Sequence, residues 1–305
     1  MLKLGASMMR RDGSPYFIAE VSSNHAQDLE RCLRFVDAAA DAGCDAVKFQ
    51  LFKISEMFAP EILSRSAKHR ARQAWELPVT FLPLIHARAL ARGVDFICTP
   101  FYLDAVGELA PFVSAFKIAS YELLWDDLLR HCARSGRPVI LSTGMATLSE
   151  ITHAADVLRD AGARETTLLH TVSAYPTPIL QCNLKAMLTI ARATGLPCGW
   201  SDHTVSPSVI LRAALHFQAP VIEFHLDLDR EGAEYAAGHC WLPEQIGPVI
   251  WLIREGIAAD GDARKIAADA ELADREWRAD PSDGLRPLMR IRDEWRSMPS
   301  SSAAE

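Results

Sequence analysis

The sequence has no excess of positive charge and no long apolar segment. Its 32 Lys and Arg residues are outnumbered by 39 Asp and Glu residues, which gives a formal net charge of −7. Proteins that hold nucleic acid through its phosphates need a basic face, so we expect no nucleic-acid partner. No window approaches the roughly 18 apolar residues of a membrane span, and the first residues lack the apolar core of a signal peptide. We therefore expect no membrane association and a cytoplasmic location.

Cysteine pairs of the kind that bind zinc or cycle between redox states are also missing. The 7 cysteines are odd in number and scattered, and no two form a CxxC pair. Most of them lie inside apolar runs, so we expect reduced, buried thiols. A GxGxxG turn is absent after the first apolar run, which argues against the alternative of an open, doubly wound sheet.

Short apolar runs alternate with amphipathic segments of helical period from about Tyr16 to about Gly261. Eight of the runs have the length of buried strands: YFIAEV, CDAVKFQ, VDFICTP, SAFKIAS, RPVILSTG, TTLLHTVS, LPCGWSD and APVIEFH. Many of the segments between them, such as LSEITHAADVLRDAG, end in Gly, as helix C-caps do. Strands that alternate with helices pair in parallel, because each helix supplies the crossover. Eight such units predict a closed TIM (β/α)8 barrel.

The barrel is predicted to occupy residues 1–262, including a short N-terminal lead-in that could form a hairpin under the barrel floor. Residues 263–305 are charged and interrupted by Pro and Gly. We predict that they form a short helical or irregular tail with a disordered Ser/Ala end.

Active sites of such barrels form at the C-terminal ends of the strands, where this sequence repeatedly places polar residues after apolar runs. Burying Lys48 or Lys117 alone would cost several kcal/mol, so two such lysines at one mouth indicate either an anionic guest or paired carboxylates. Hydroxyls at Thr99, Ser120 and Ser201 can add hydrogen bonds to the same anion. A guest that carries both carboxylate and phosphate would suit this set.

Two histidines end the neighbouring seventh and eighth strands, His203 and His225, and can converge on one point. Neutral imidazoles suit Mn, Fe, Co or Zn better than Mg or Ca. Two histidines with open positions would hold an ion that also binds water and substrate. The alternative is that each histidine bonds a neighbouring polar group at a strand end.

Seven segments in order resemble the N-acetylneuraminate (sialic acid) synthase family, which includes legionaminate and pseudaminate synthases. They are FIAEVSSNHAQDLERCLRFVDAAADAGCDAVKFQLF, FICTPF, AFKIASYELLWDDLL, PVILSTGMATLSEI, YPTP, GWSDHTVS and VIEFHLDLDR. The resemblance implies a carbon-carbon-bond-forming transferase that condenses phosphoenolpyruvate with an N-acylated hexose such as N-acetylmannosamine. The products would be a nonulosonic 2-keto-3-deoxy acid and phosphate.

The same resemblance implies roles for the strand-end residues. The catalytic group would be Glu20, Lys48, Lys117 and Asp202, with Glu20 orienting the attacking water or accepting its proton. The substrate-binding group would be Asn24, Gln50, Thr99, Ser120, Tyr175, Ser201 and Glu223. The metal ligands would be His203 and His225, holding a divalent ion, with Mn²⁺ preferred over Mg²⁺ or Co²⁺. The substrates would be phosphoenolpyruvate and a sugar aldehyde, and the family suggests a homodimer.

The sequence departs from the family pattern in three places. Ala174 stands where the family usually has Asn before YPTP. EYAAGHCW replaces the usual GPDH, so an acidic residue is missing near Gly238, where Glu234 or His239 could substitute. Residues 263–305 are too few for the antifreeze-like domain that many members carry. Two alternatives follow: an impaired barrel that serves as a binding or scaffold subunit, or a synthase that uses phosphoenolpyruvate with a different aldose.

Overall fold

The structure is a computed structural model that describes residues 12–298. The chain divides into two compact units, Met1–Ala259 and Asp260–Glu305. The predicted lead-in hairpin falls largely on residues 1–11, and the predicted disordered end falls on residues 299–305. Both of these predictions therefore lie outside the described residues.

Eight parallel strands close into a barrel in the first unit. They are β1 (Tyr16–Glu20), β2 (Ala46–Leu51), β3 (Asp95–Pro100), β4 (Ala115–Ile118), β5 (Val139–Ser142), β6 (Thr166–His170), β7 (Cys198–Asp202) and β8 (Val221–Leu226). Each strand pairs with the next one in the chain, and β1 also pairs with β8. Because a helical crossover links successive strands, these pairs are parallel. The TIM (β/α)8 barrel predicted from the alternating pattern is confirmed.

A short ninth strand, β9 (Cys240–Trp241), lies beyond the eight predicted ones. It pairs in parallel with the C-terminal end of β8, so that Cys240 lies opposite His225 and Trp241 lies opposite Leu226. Two residues carry no recognisable period, so the pattern along the chain could not indicate this strand. Its pairing brings the segment that follows β8 back to the barrel mouth.

Helices connect the strands of the barrel. They are α1 (Leu29–Asp41), α2 (Ile54–Met57), α3 (Pro60–Arg65), α4 (Ala67–Arg70), α5 (Leu82–Arg92), α6 (Leu103–Leu109), α7 (Asp126–Arg134), α8 (Leu148–Asp160), α9 (Ala186–Thr194), α10 (Pro207–Leu211), α11 (Ala233–Ala236) and α12 (Pro243–Asp260). Thr147 and Glu150 form a capping box at the start of α8. Gly93 and Gly195 take the left-handed conformation that ends α5 and α9. Within the described part of the chain, every helix is too short or too polar to cross a membrane.

Strand residues alternate between the barrel interior and the surrounding helices, because side chains of a strand point to opposite faces in turn. The lower interior layer is apolar and consists of Ile18, Ala46, Ile97, Ala115, Ile140, Leu169 and Val221. Two residues further along their strands lie the buried polar residues Glu20, Lys48, Thr99, Lys117, Ser142, Thr171 and Glu223, joined by Ser201 of β7. The residues between them, such as Ala19 and Phe116, belong to the larger core beneath the helices. The barrel thus has an apolar floor under a charged mouth.

The second unit contains α13 (Leu272–Arg275) and α14 (Met289–Ser297). The carboxylate of Asp283 accepts two hydrogen bonds from the Arg292 guanidinium, at 2.6 and 2.8 Å. The rings of Trp277 and Trp295 meet edge to face with their centroids 6.1 Å apart. These contacts hold α14 against the preceding turns of the same unit.

A substitution at Gly199 of β7 tests how tightly β7 and β8 pack in the barrel wall. A Cβ at this position would collide with the backbone carbonyl oxygen of Val221 in β8, which the sheet holds in place. We expect Gly199→Ala to lower the free energy of unfolding by about 1–3 kcal/mol, the usual range for an overpacked interior. Urea denaturation followed by circular dichroism measures the change.

Gly256 in α12 provides the matched control. A Cβ there would meet open space, and Ala is the better helix former by about 0.5–1 kcal/mol. We therefore expect Gly256→Ala to stabilise the protein slightly. Equal stability of the two variants would contradict the packing described for β7 and β8.

Candidate functional site

Two lysines and two glutamates from four different strands form the centre of the barrel mouth. The Lys48 Nζ lies 2.5 Å from Glu20 Oε2 and 3.5 Å from Glu223 Oε2. The Lys117 Nζ lies 3.9 Å from Glu223 Oε1. None of these four side chains is more than 5% exposed. Glu223 therefore stands between the two lysines, and four of the predicted site residues meet.

These charges shift one another's protonation. Burial alone would raise the pKa of Glu223, but Lys117 and Lys48 outweigh it and lower the pKa to about 2. Burial lowers the pKa of Lys117 to about 8. Burial would also lower the pKa of Lys48, but Glu20 and Glu223 outweigh it, so the pKa of Lys48 is raised. Near neutral pH both lysines are charged and have carboxylate partners. Of the two alternatives indicated by the sequence, the structure contains the paired carboxylates, so the lysines do not by themselves require an anionic guest.

Two serines bind the charged groups directly. The Ser201 hydroxyl donates to Glu223 Oε1 at 3.0 Å. The Lys117 Nζ donates to Ser142 Oγ at 2.6 Å, which is a shorter contact than the one it makes with Glu223. Ser142 is not among the residues predicted to form the site, although it ends β5 in the same interior layer as the other polar residues. The Lys117 ammonium therefore depends more on neutral oxygen than on a carboxylate.

Two further hydroxyls line the wall near β3 and β4. The Ser120 Oγ accepts a hydrogen bond from the backbone N–H of Gly144 at 3.0 Å. Thr99 is 1% exposed, and its Oγ1 has no hydrogen-bond partner among residues 12–298. An unpaired buried hydroxyl costs about 1–3 kcal/mol. Thr99 is therefore available to a bound molecule.

The rim of the mouth carries Gln50 and Tyr175, two of the residues predicted to bind substrate. The Gln50 Nε2 donates to Glu20 Oε1 at 2.6 Å and to Ser22 Oγ at 3.3 Å. Tyr175 is 43% exposed, and its ring centroid lies 4.2 Å from that of His203. Both residues border the charged centre, with Gln50 on the β1 side and Tyr175 on the histidine side.

Asp202 lies on the outer face of the barrel. Its carboxylate accepts hydrogen bonds from Trp200 Nε1 and Trp241 Nε1, both at 3.1 Å, and from Thr204 Oγ1 at 2.7 Å. Because Ser201 beside it points inward, the alternation of the strand turns Asp202 outward. The prediction that Asp202 is catalytic therefore finds no support in this geometry. Its carboxylate instead joins β7 to β9.

Asn24 borders the mouth from the loop after β1. Its Nδ2 donates to the backbone carbonyl of Leu226 at 3.1 Å and to Cys240 Sγ at 3.6 Å. Its Oδ1 is buried and has no hydrogen-bond partner within the described range. The amide thus links the ends of β8 and β9, and the contacts observed for it are structural ones.

His203 and His225 lie side by side, with ring centroids 5.2 Å apart. The Nδ1 of His203 contacts the Val172 carbonyl at 2.9 Å, and the Nδ1 of His225 contacts Glu234 Oε2 at 2.8 Å. Metal-binding histidines characteristically have such a partner on the second ring nitrogen. An ion bound to two imidazoles through bonds of ~2.1 Å would separate the ring centres by roughly 5 Å. The separation of the pair is compatible with a shared divalent ion, and since each Nδ1 has a partner, the two Nε2 atoms would be the ones to hold it.

The protonation of the two rings differs. Burial, reinforced by His225, lowers the pKa of His203 to about 3, so this ring is neutral. Burial acts in the same direction on His225, but Glu234 outweighs it and raises the pKa. Since metals bind the neutral ring, an ion must displace a proton wherever His225 is charged.

The segment after β8 places Glu234, His239 and Cys240 close to His225. One ligand atom from each of His225, Glu234, His239 and Cys240 lies within 4.8 Å of the others. Burial alone would raise the pKa of Glu234, but His225 outweighs it and the pKa is lowered. Glu234 is therefore ionised, and it supplies a carboxylate near Gly238, where this chain lacks the acidic residue that the family pattern has.

Comparisons with known proteins identify relatives of this barrel. The profile of the NeuB family matches residues 35–265. The N,N'-diacetyllegionaminic acid synthase of Campylobacter jejuni is 35% identical over 269 residues, which cover 83% of this chain and 80% of that protein. The pseudaminic acid synthase of Helicobacter pylori is 34% identical over 229 residues, covering 71% of this chain and 66% of that protein.

A solved structure supports the same grouping. The N-acetylneuraminic acid synthetase of Leptospira borgpetersenii, solved in complex with citrate, superimposes with a TM-score of 0.74 and 27% sequence identity. The match covers 94% of both chains. The likeness therefore extends over the whole barrel, including the strands that carry the charged mouth.

Glu223→Gln removes the carboxylate that stands between Lys48 and Lys117. Two buried ammonium groups would then share the single carboxylate of Glu20. Loss of one partner from a buried ion pair typically costs about 3–5 kcal/mol. We expect the free energy of unfolding at pH 7 to fall by that order, as measured by urea denaturation.

Glu244→Gln is the control for this change, because the Glu244 carboxylate pairs with Arg230 at 3.3 Å on the surface and is 60% exposed. Removing such a pair should change the free energy of unfolding by less than about 1 kcal/mol. If Glu223→Gln proved as stable as Glu244→Gln, the charged mouth would not be coupled in the way described.

Proposed function

This chain belongs to the NeuB family, and on that premise we propose that it condenses phosphoenolpyruvate with an N-acylated hexose similar to N-acetylmannosamine. Members of the family are synthases that form a carbon-carbon bond between phosphoenolpyruvate and a sugar. The products here would be a sialic-acid-like 2-keto-3-deoxy acid and inorganic phosphate. The identity of the sugar is part of the proposal.

The observation that carries the proposal is the convergence of Lys48 and Lys117 beside the His203 and His225 pair. Phosphoenolpyruvate carries a carboxylate and a phosphate, which lysines and hydroxyls bind well. The Lys117 contact with Glu223 is long, at 3.9 Å, so an incoming anion can replace it at small cost. A sugar aldehyde would then lie between the anion and the histidines.

We assign the remaining groups by their place around the mouth. Phosphoenolpyruvate would contact Lys48, Lys117, Thr99, Ser120 and Ser201, and the sugar would contact Glu20, Gln50, Tyr175 and Glu223. His203 and His225 would hold a divalent ion, Mn²⁺ in preference to Mg²⁺ or Co²⁺. When bound, this ion supplies Lewis acidity that polarises the sugar aldehyde.

The chain's own residues then govern the condensation. The lysines hold phosphoenolpyruvate so that its C3 faces the aldehyde carbon and forms the new bond, and positive charge develops at C2. Glu20, which already accepts a hydrogen bond from Gln50, would orient the water that adds at C2 or accept its proton. Lys48 and Lys117 would stabilise the phosphate as its bond to C2 breaks.

We also propose a cytoplasmic homodimer. All seven cysteines are buried and unpaired, which supports the predicted reduced thiols and is usual in a reducing compartment. The homodimer is carried over from the family.

Release of phosphate from phosphoenolpyruvate tests the proposed reaction. With Mn²⁺ and N-acetylmannosamine the purified protein should release phosphate faster than with other aldoses, and a chelator should stop the release until Mn²⁺ is restored. Release with a different aldose alone would reassign the acceptor. Release that survives the chelator would remove the metal, and no release with any sugar would support the scaffold alternative.

The proton on Lys117 should limit activity at high pH. Its pKa is about 8, so its ammonium group loses its charge, and its attraction for an anion, as the pH rises through that value. We expect kcat/KM for phosphoenolpyruvate, which reports the free enzyme, to fall above pH 8. In Lys117→Arg the side chain stays charged, so the profile should be flat to about pH 10. An identical decline in both proteins would assign the limit to another group.

A further inference from the structure

We propose that His239 is a third imidazole ligand of the ion held by His203 and His225, and that Glu234 orients two of the three rings. This inference rests on the proposed function, because it concerns the metal ion of the same site. The resemblance assigns metal ligation to His203 and His225 only, whereas His239 ends the segment that replaces the family's GPDH.

The pairing of β9 with β8 brings His239 to the metal pair. Cys240 of β9 lies opposite His225, so the residue before Cys240 lies next to the His225 ring. The ring centroids of His225 and His239 are 5.0 Å apart, and those of His203 and His225 are 5.2 Å apart. The separation of His239 from His225 matches the roughly 5 Å expected when two imidazoles share an ion, and one ligand atom of His239 lies within 4.8 Å of one of His225.

One ring nitrogen of His239 lacks a partner. The residue is 5% exposed, and its Nδ1 has no hydrogen-bond partner anywhere in residues 12–298. Its other nitrogen, Nε2, lies 3.5 Å from Glu234 Oε2. Leaving a buried polar atom unpaired costs about 1–3 kcal/mol. A metal ion bound at Nδ1 would remove this cost.

A single oxygen of the Glu234 carboxylate contacts the rings of both His225 and His239. Its Oε2 lies 2.8 Å from His225 Nδ1 and 3.5 Å from His239 Nε2. Its Oε1 accepts hydrogen bonds from the hydroxyls of Ser22 at 2.5 Å and Ser23 at 3.1 Å. The carboxylate is therefore held on one side by hydroxyls and orients imidazoles on the other, as carboxylates behind metal-binding histidines do.

Three imidazoles give the site a different selectivity from two. Since the Nδ1 of His203 is bound to the Val172 carbonyl, each of the three rings has one nitrogen anchored and one left for the ion. Nitrogen donors favour transition metals over Mg²⁺. The ion should therefore be a transition metal that survives desalting, and Mg²⁺ should compete poorly.

Metal content and metal spectra test the third ligand without relying on turnover. Wild type, His239→Ala and His239→Gln would be loaded with MnCl₂, desalted, analysed for metal, and titrated with Mn²⁺ by calorimetry. We expect at least tenfold weaker Mn²⁺ binding in both variants, together with a changed visible spectrum after loading with CoCl₂. The Gln side chain can still donate a hydrogen bond to Glu234, so a loss in both variants with unchanged thermal melting separates ligation from folding.

His170→Ala is the matched control, because His170 also ends a strand but its Nε2 contacts the Cys182 carbonyl at 2.9 Å. Its Mn²⁺ affinity should equal that of wild type, whereas His225→Ala should lose the ion. If both His239 variants bind Mn²⁺ and Co²⁺ like wild type while His225→Ala does not, the third ligand is wrong and the proposed function stands. If His203→Ala and His225→Ala also bind like wild type, the metal site of the proposed function is wrong as well.

Discussion

Closure of the barrel by the pairing of β1 with β8 is the constraint on which the site depends. In that pairing Glu20 lies opposite His225 and Ile18 lies opposite Glu223, although these residues come from the first and last strands of the barrel. Parallel pairing sets the register, and the alternation of each strand decides which side chains face inward. A slip of one residue in either strand would turn its charged group out toward the helices.

The charged layer persists because its members neutralise one another above an apolar floor. Ionised groups removed from water are costly unless they are paired and hydrogen-bonded, and here two ammonium groups share two carboxylates with help from serine hydroxyls. The pairing is uneven. Lys48 is held at 2.5 Å by Glu20, whereas Lys117 lies 3.9 Å from Glu223. Lys117 is therefore the lysine that can exchange its partner for a substrate anion, while Lys48 keeps the layer in place.

Sequence patterns were sufficient for the barrel and for most of its mouth, because strand length, helical period and the strand-end position of polar residues are local properties. Asp202 shows where position alone misleads: it ends a strand as Ser201 does, but the two-residue period turns it outward, where Trp200 and Trp241 bind it. The contribution of Glu234 and His239 depends on the pairing of β9 with β8. Two paired residues leave no periodic signal, so the sequence could name Glu234 and His239 as substitutes for a missing acid but could not place them against His225.

The sequence also left open whether the two lysines face an anionic guest or carboxylates, since both alternatives satisfy a buried ammonium group. Crystals grown with phosphoenolpyruvate and Mn²⁺ would test the shared mouth most directly, through the anomalous signal of the ion and the position of the phosphate. We predict a manganese peak at roughly 2.2 Å from ring nitrogens of His203 and His225, with the phosphate of phosphoenolpyruvate in contact with Lys117. A manganese peak away from these histidines, or phosphoenolpyruvate bound outside the reach of both lysines, would contradict the proposed site.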